Sequence, residues 1–440
     1  MNYVGNTWIP LPCVLHAGGH QKWATALVAV VTIPIVVLLI SGQGAALPDM
    51  VAAGIETVAP TAILLLFAVL YFGIMMDAKL FDPISRGIIR LSGGDPVKIC
   101  VGTAVLALLV ALDGDGTTSY MIICSAFLPI YRKLGINPLV IATIATMALG
   151  TVSGTTPWGG AATRAISVLQ IDATDYFVHM LPAMLLMSAT IIGLAYLLGR
   201  NARKKITPER IAEVTAHVSA GRHEESSDGS LRTKATWRTW VNASLTVTLL
   251  VLLVLGVADL LVLFMLGFII VLVVNHPRPA DQGDVIRAHA ANAVPVVILV
   301  LGAGVFTGIL TETGMTTAMA NALISLIPDG AEGLIPAAAA LIGIPLSFFM
   351  ANDAYFFGIV PVLAESAAQY SIPPEEMARA AVIGQMAHSI GPASAPLWVL
   401  LGLVRASLGD FQRFAFLWVL AASLMYIVFA LLTGAISIGL

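Results

Sequence analysis

The sequence predicts an all-α polytopic membrane protein with two inverted-topology repeats, each containing a re-entrant hairpin and a broken transmembrane helix. Of its 440 residues, 58% are hydrophobic and only 11% are charged, and the mean hydropathy is +0.92. Soluble proteins carry about 25% charged residues, so this composition indicates a chain that lies mostly in a bilayer. The second observation is that short polar segments interrupt apolar stretches at corresponding places of the two halves, which is typical of secondary transporters.

Seven apolar stretches come close to the length of about 20 residues that a membrane-spanning helix needs. They are residues 24–41, 60–76, 174–199, 241–256, 258–274, 293–310 and 412–439. Two further spans, residues 138–169 and 377–408, are expected to break near their middle. Each contains a proline there, Pro157 and Pro392, and proline removes a backbone donor and clashes with the preceding turn.

Two pairs of shorter apolar stretches predict re-entrant hairpins, because neither member of a pair is long enough to span alone. The pairs are residues 97–112 with 118–131 and residues 334–350 with 354–370. Both tips carry carboxylates, which at membrane depth are found mainly where they line a pathway or bind a ligand. Residues 80–91 predict a short amphipathic helix at the membrane interface.

Loop charge predicts the topology. Residues 200–239 hold nine of the 22 Lys and Arg residues, so this linker is expected in the cytoplasm. Acidic loops without Lys or Arg fall on the outer side: residues 42–59, 170–175, 311–333 and 371–376. The first hairpin then enters from the cytoplasm and the second from outside, as an inverted repeat requires.

The predicted division is therefore a first repeat at 1–199, a basic cytoplasmic linker at 200–240 and a second repeat at 241–440. The second half opens with two spans before its long helix, whereas the first half has one. Either the first repeat lacks a helix, or its true start lies upstream. No signal peptide is predicted, because the first residues lack a basic region followed by a short apolar stretch and a small-residue cleavage site.

The first tip, residues 113–119, contains two carboxylates and three hydroxyls. One Asp would be enough to cap the second arm, so the pair Asp113 and Asp115 indicates a binding role. Free N–H groups at the start of that arm add positive potential. A calcium loop is excluded, because Thr118 stands where it needs Gly and Cys124 where it needs Glu.

The second tip contains Asn352 and Asp353, for which helix capping is the alternative role. Arg164 and Arg405, on the far arms of the broken spans, are candidates for contacting an anion, although each could instead extend to the interface. His388 could carry a proton near neutral pH or be a satisfied core histidine. The broken spans contribute four hydroxyls as neutral donors and acceptors, although each could instead satisfy only the backbone: Ser153, Thr155, Thr156 and Ser394. The first tip adds the hydroxyls of Thr117 and Thr118.

Several function classes are disfavoured by the sequence. It shows no nucleophile–base set, no metal-binding His cluster, no phosphate loop and no nucleic-acid-binding pattern, so an enzyme is not expected. Cys13, Cys100 and Cys124 lack metal-ligand spacing and are interpreted as small core residues. No resident cofactor is predicted.

Several of these motifs resemble the citrate–metal–proton symporter family of the ion transporter superfamily. In the first half the resemblance includes Gly-Ile-Met-Met-Asp at 73–77, Gly-Asp-Pro-Val-Lys at 94–98, Asp-Gly-Asp-Gly-Thr-Thr at 113–118 and Pro-Trp-Gly-Gly at 157–160. In the second half it rests on Asp-Ala-Tyr at 353–355, where Asn352 stands in place of an expected Pro. The likeness covers residues 24–440, and the family's first helix is absent.

The resemblance implies uptake of citrate complexed to a divalent cation of the Mg or Ca class, coupled to protons. It also implies a homodimer of scaffold and transport domains that moves as an elevator, in a bacterial cytoplasmic (inner) membrane. The chemistry of the candidate site residues is compatible with a substrate that contains a metal ion. Asp113, Asp115 and Asp353 would repel a bare citrate trianion, and their hard oxygens suit Mg or Ca.

Two alternatives on the same scaffold stay open. A sodium-coupled di- or tricarboxylate symporter would usually carry Ser-Asn-Thr at both tips, and neither tip does. A cation/proton antiporter would be compatible with the acid-rich tips.

Overall fold

The computed structural model describes residues 44–207, 237–255, 257–324 and 332–438, together with residue 209 and some residues between 31 and 42. The first part of the predicted span at 24–41 and most of the linker at 200–240 lie outside these residues. Every regular element in the described part of the chain is helical. Eight helical segments of that part are long and apolar enough to cross a membrane, and two of them, Pro96–Asp113 and Glu332–Phe349, belong to the predicted hairpins, so the re-entrant course of these arms remains a prediction. The all-α prediction is confirmed.

The first half contains seven helices in its described part. They are α1 Leu47–Asp77, α2 Asp82–Ser92, α3 Pro96–Val110, α4 Gly116–Leu134, α5 Pro138–Thr155, α6 Gly160–Leu169 and α7 Ala173–Arg203. Here α3 and α4 are the arms of the first hairpin, and α5 and α6 are the two parts of the first broken span. The short amphipathic helix predicted at 80–91 corresponds to α2.

The second half repeats this order of elements after two additional helices. It consists of α8 Trp237–Val254, α9 Leu260–Asn275, α10 Pro279–Glu312, α11 Met315–Ile324, α12 Ile335–Phe349, α13 Val360–Ala368, α14 Pro374–Gly384, α15 Ala395–Val404 and α16 Leu408–Thr433. A long helix, a short helix, a hairpin, a broken span and a final long helix therefore follow one another in both halves. The inverted orientation of the halves remains a prediction.

Helix α1 is longer than its sequence suggested. Residues 42–59 were expected to be a loop, but the helix begins at Leu47. Pro48 suits a first helical turn, and the acidic Asp49 and Glu56 stay exposed on the helix surface. At 31 residues, α1 is about 46 Å long and so exceeds the roughly 30 Å thickness of a hydrocarbon core.

The long helices α1 and α10 pack through glycine. A Cβ atom added to Gly54 would lie 2.1 Å from the carbonyl oxygen of Gly304, and one added to Gly308 would lie 2.4 Å from the carbonyl oxygen of Met50. Gly304 and Gly308 form a Gly-x-x-x-Gly pattern, which allows helix backbones to approach closely inside a membrane. These two helices thus form one tightly packed pair.

Contacts between helix ends join segments that loop charge assigns to the same side. Arg203 pairs with Asp95 at 3.0 Å, and Arg132 donates to the Leu403 carbonyl at 3.2 Å. All four residues lie at ends predicted to be cytoplasmic. At the opposite side, the Thr317 hydroxyl donates to Glu365 at 3.1 Å. The helix contacts and the charge distribution therefore agree.

The topology predicts how single cysteines will react in a cysteine-free background. A cysteine at Ser325 should be labelled by an impermeant thiol reagent from outside, and one at Glu225 only from the cytoplasmic side. Both positions lie outside the described residues, so this prediction rests on loop charge. Labelling of both positions from the same side would contradict the inverted repeat.

Candidate functional site

The first hairpin tip is a tight turn built around two aspartates. Residues Ala111–Asp113 form a 3-10 turn, and Gly114 follows with φ 80°, a conformation that glycine adopts without strain. The Asp113 Oδ1 atom accepts from the Asp115 amide at 2.9 Å and from the Ser119 hydroxyl at 3.0 Å. Since Asp113 is only 8% exposed, its carboxylate holds the turn in shape.

Asp115 caps helix α4 and remains exposed. Its carboxylate accepts from the amides of Thr117 at 3.2 Å and Thr118 at 3.0 Å, and also from the Thr118 hydroxyl. The capping role considered for the sequence is therefore present. Because the side chain is also exposed, capping leaves this carboxylate accessible to a ligand.

The first tip packs against the break between α5 and α6. The Ser153 hydroxyl donates to the Gly114 carbonyl at 2.9 Å, and Trp158 Nε1 donates to the Leu112 carbonyl at 2.6 Å. Gly159 lies so close to α5 that an added Cβ would be 1.6 Å from the Ser153 carbonyl oxygen. The break thus satisfies backbone carbonyls that the hairpin leaves without helical partners.

The second tip is joined to the same break by an ion pair. Arg164 Nε on α6 lies 2.6 Å from Asp353 Oδ1, and the two side chains are 20% and 24% exposed. Asp353 makes no capping hydrogen bond, so its role differs from that of Asp115. A π-helical segment, Ala354–Ile359, follows directly, and such segments are frequent at functional sites.

The second broken span contacts both tips. Gln385 Nε2 donates to Asn352 Oδ1 at 3.2 Å, and a Cβ added to Gly116 would lie 2.9 Å from Cγ of Pro396. Between these contacts, α14 gives way to a 3-10 helix and then to extended backbone at Gly391. Each tip therefore contacts both broken spans, and a shared substrate site at this place remains a prediction.

His388 lies within this second break, at Gln385–Ile390. Its Nδ1 is 3.0 Å from the Ser347 carbonyl oxygen, a distance at which the ring N–H donates to the carbonyl. The side chain is only 8% exposed. The structure therefore shows a buried, hydrogen-bonded histidine, and its role in proton coupling remains a prediction.

The hydroxyl candidates fall into different environments. Thr155 is fully buried and hydrogen-bonded to Tyr426 on α16 at 2.7 Å, so it connects two helices. The Thr156 hydroxyl is buried without a hydrogen-bond partner in the described structure. Ser394, which precedes α15, makes no side-chain capping bond. Thr156 and Ser394 are also buried, and their contact with a ligand remains a prediction.

The three acids chosen as metal ligands do not form a ready-made metal centre. In the described ranges, no group of three His, Cys, Asp or Glu side chains is placed to hold a metal ion. Asp113 is engaged within its turn, and Asp353 with Arg164. Their role as metal ligands remains a prediction, with Asp115 as the exposed member.

Two polar contributors were not selected from the sequence. Ser119 fixes the Asp113 carboxylate, and Gln385 holds Asn352. Ser119 belongs to the first polar motif, and Gln385 is an amide within an apolar run just before Pro392. In both cases the sequence feature that could have identified the residue is a polar side chain next to an interrupted apolar stretch.

Comparison with known proteins gives a consistent result. The sequence profile of the citrate transporter family, CitMHS, matches residues 18–384. The chain is 43% identical over 419 residues to a Bacillus subtilis (strain 168) protein named "Mg(2+)/citrate complex secondary transporter", covering 95% of each chain. It is 42% identical over 414 residues to the "Citrate transporter" of the same strain, covering 94% of this chain and 95% of that protein.

A third relative is the "Uncharacterized transporter YraO" of Bacillus subtilis (strain 168), with 46% identity over 420 residues and 95% coverage of both chains. Among solved structures, the YdaH transporter of Alcanivorax borkumensis superimposes with a TM-score of 0.61. The superposition covers 93% of this chain and 96% of that one at 13% identity. This likeness concerns the fold alone.

Proposed function

Because the chain belongs to the citrate transporter family and is therefore a membrane transporter rather than an enzyme, we propose that it imports citrate as a complex with a divalent cation, in symport with protons. The cation belongs to the Mg or Ca class. The observation that carries this proposal is the exposed carboxylate of Asp115 in one tip and the Arg164–Asp353 ion pair at the other.

The charges at the two tips suit a substrate that bears both signs. A citrate trianion alone would be repelled by the carboxylates, whereas a metal–citrate complex presents a cation to Asp115 and a free carboxylate to Arg164. Arg164 then exchanges Asp353 for a substrate carboxylate, since both compete for one guanidinium. Hard oxygen ligands such as carboxylates are those that Mg and Ca prefer.

The remaining groups would orient the complex. Thr117 and Thr118 lie at the start of α4, where their amides and the Thr118 hydroxyl hold the Asp115 carboxylate in the position proposed to face the substrate. Asn352, Thr156 and Ser394 add neutral hydrogen-bonding groups beside the two breaks. Such groups contact citrate hydroxyl and carboxylate oxygens without adding charge to the site.

His388 is the proposed site of proton coupling. Its imidazole is buried and hydrogen-bonded to the Ser347 carbonyl on α12, the arm that leads into the second tip. Arg164 and Asp353 are the charged pair at that tip. Binding of an anionic substrate changes that charge balance, which links protonation of the ring to occupancy of the site.

We further propose that the protein works as a homodimer in a bacterial cytoplasmic membrane. In this arrangement the paired helices α1 and α10 belong to the scaffold, and the hairpins and broken spans move as the transport domain. The resemblance of the motifs to the symporter family supports the homodimer and the two domains. The origin of the relatives in Bacillus subtilis supports a bacterial membrane.

Uptake of labelled citrate into proteoliposomes tests the proposed substrate. Uptake should fall to background when a chelator removes divalent cations and should return on addition of Mg or Ca. An inward proton gradient should stimulate it, and replacing sodium with potassium should not change it. Full uptake in chelator, or a requirement for sodium, would contradict the proposal and favour a sodium-coupled carrier.

A further inference from the structure

A cavity lies at the end of α3 away from the first hairpin tip, at the predicted cytoplasmic ends of α2, α3 and α7. Its volume is about 790 Å³. Apolar side chains, among them Ile88, Leu91, Val101 and Tyr196, form much of its lining. A Cβ added to Gly102 would lie 2.2 Å from Cγ2 of Ile88, so α2 rests directly on α3 and closes one side.

The other part of the lining is strongly basic. Four basic residues and one acid line the cavity: Lys98, Arg200, Arg203, Lys204 and Asp95. Asp95 pairs with Arg203 at 3.0 Å, and it also caps α3 by accepting from the amides of Val97 and Lys98. Lys98, Arg200 and Lys204 form no ion pair within the described residues, so the cavity carries an excess of positive charge.

The apolar part of the cavity is open toward the membrane. Leu91 is 82% exposed and Tyr196 is 49% exposed, although both lie beside hydrophobic helices. Aromatic side chains such as Tyr196 are enriched at the membrane–water interface, and an amphipathic helix such as α2 is expected to lie in that interface. The cavity thus has an apolar floor at membrane depth and a basic rim at the aqueous edge.

We propose that this cavity binds one anionic phospholipid, with its headgroup phosphate at Lys98, Arg200 and Lys204 and an acyl chain along Ile88, Val101 and Tyr196. A soluble anion would satisfy the rim but leave the apolar floor unfilled. A zwitterionic lipid would fill the floor but gain less from the positive charge. Basic pockets between helices at the cytoplasmic face are suited to anionic lipid headgroups.

Native mass spectrometry of the purified full-length protein tests this site directly. Phosphatidylglycerol should bind more tightly than phosphatidylcholine with the same acyl chains. The double variant Lys98→Gln/Arg200→Gln should weaken phosphatidylglycerol binding by about tenfold or more, since each basic residue contributes about 1 kcal/mol near an anionic lipid. The matched control Lys79→Gln/Arg278→Gln removes the same charge from the same side outside the cavity and should bind like the wild type.

Two further measurements separate a lipid from a soluble phosphate. Tyr196→Ser, at an exposed position, should weaken binding of the intact lipid, and free glycerophosphate should compete poorly with it. Efficient competition by glycerophosphate together with wild-type binding by Tyr196→Ser would overturn the lipid assignment.

Equal loss in both double variants, or equal binding of the two phospholipids, would overturn the proposal. Absence of lipid binding would also overturn it and would leave another occupant, such as the acidic residues Glu224, Glu225 and Asp228 of the central loop. Because lipid binding is measured without transport, this result is independent of the citrate assay.

Discussion

An Asp353→Asn variant is expected to fold and insert into the membrane, with lower stability than the wild type, but to lose citrate uptake. Asp353 makes no capping hydrogen bond, and its carboxylate lies 2.6 Å from Arg164 Nε with both side chains less than a quarter exposed. Removing one member of such a pair leaves the other charge poorly solvated, which costs about 2 kcal/mol or more. This corresponds to a loss of roughly 30-fold in the equilibrium constant for folding. Uptake into proteoliposomes and elution of a monodisperse protein are the two measurements.

The matched control is Asp259→Asn. Asp259 is an exposed aspartate that caps α9 through the Leu261 amide at 2.8 Å, and Asn caps as well as Asp. Its uptake should stay at the wild-type level. Asp115→Asn should also keep its cap yet lose uptake, because a metal-bearing substrate needs the charge. Wild-type uptake by both tip variants would show that these aspartates are structural.

A double variant distinguishes a structural ion pair from a substrate contact. If the pair only stabilises the fold, Arg164→Gln/Asp353→Asn should recover the uptake that Asp353→Asn loses, since no unpaired charge remains. If Arg164 binds a citrate carboxylate, as proposed, the double variant should stay inactive although the protein is stable.

The second large effect is expected from Gly159→Ala. Gly159 has φ −84° and ψ 157°, which any residue can adopt, so the constraint is space rather than backbone strain. An added Cβ would lie 1.6 Å from the Ser153 carbonyl oxygen, and a backbone atom cannot move aside as a flexible side chain can. Overpacking of this kind costs about 1–3 kcal/mol or more. The displaced break would also release the Ser153 and Trp158 contacts to the first tip.

Thermal stability and citrate uptake measure this effect together. Gly402→Ala is the control, because a Cβ there meets no atom within 4 Å and Ala favours a helix over Gly. We expect Gly159→Ala to lower both stability and uptake and Gly402→Ala to lower neither. Wild-type behaviour of Gly159→Ala would mean that the break can relax without affecting the site.

The interruptions in the sequence were sufficient to locate the hairpins and breaks. Proline and polar residues interrupt a helix at the place where they stand. Residues such as Pro157 and Asp115 therefore mark the break and the hairpin tip directly in the sequence. The ion pair between Arg164 and Asp353 joins residues 189 positions apart, and nothing local marks it. Carboxylates and guanidinium groups could be recognised as unusual at membrane depth, but not assigned to each other.

The two arginines predicted on the far arms of the broken spans, Arg164 and Arg405, do not occupy equivalent positions. Arg405 follows the end of α15 with φ 58°, whereas Gln170 follows the end of α6 with φ 57°. Equivalent helix ends therefore match Arg405 with Gln170 and leave Arg164 without a basic counterpart. Residue type alone therefore does not identify equivalent positions in the two halves.

The glycine contact between α1 and α10 has a practical consequence for measuring motion. Gly54, Gly304 and Gly308 have no side-chain torsions, so their contact cannot rearrange by changing rotamers. Spectroscopic labels placed on exposed positions of these two helices should keep a constant separation. The distance between these two labels therefore serves as a constant reference. A change in the distance from either label to a hairpin tip would then report movement of the tip.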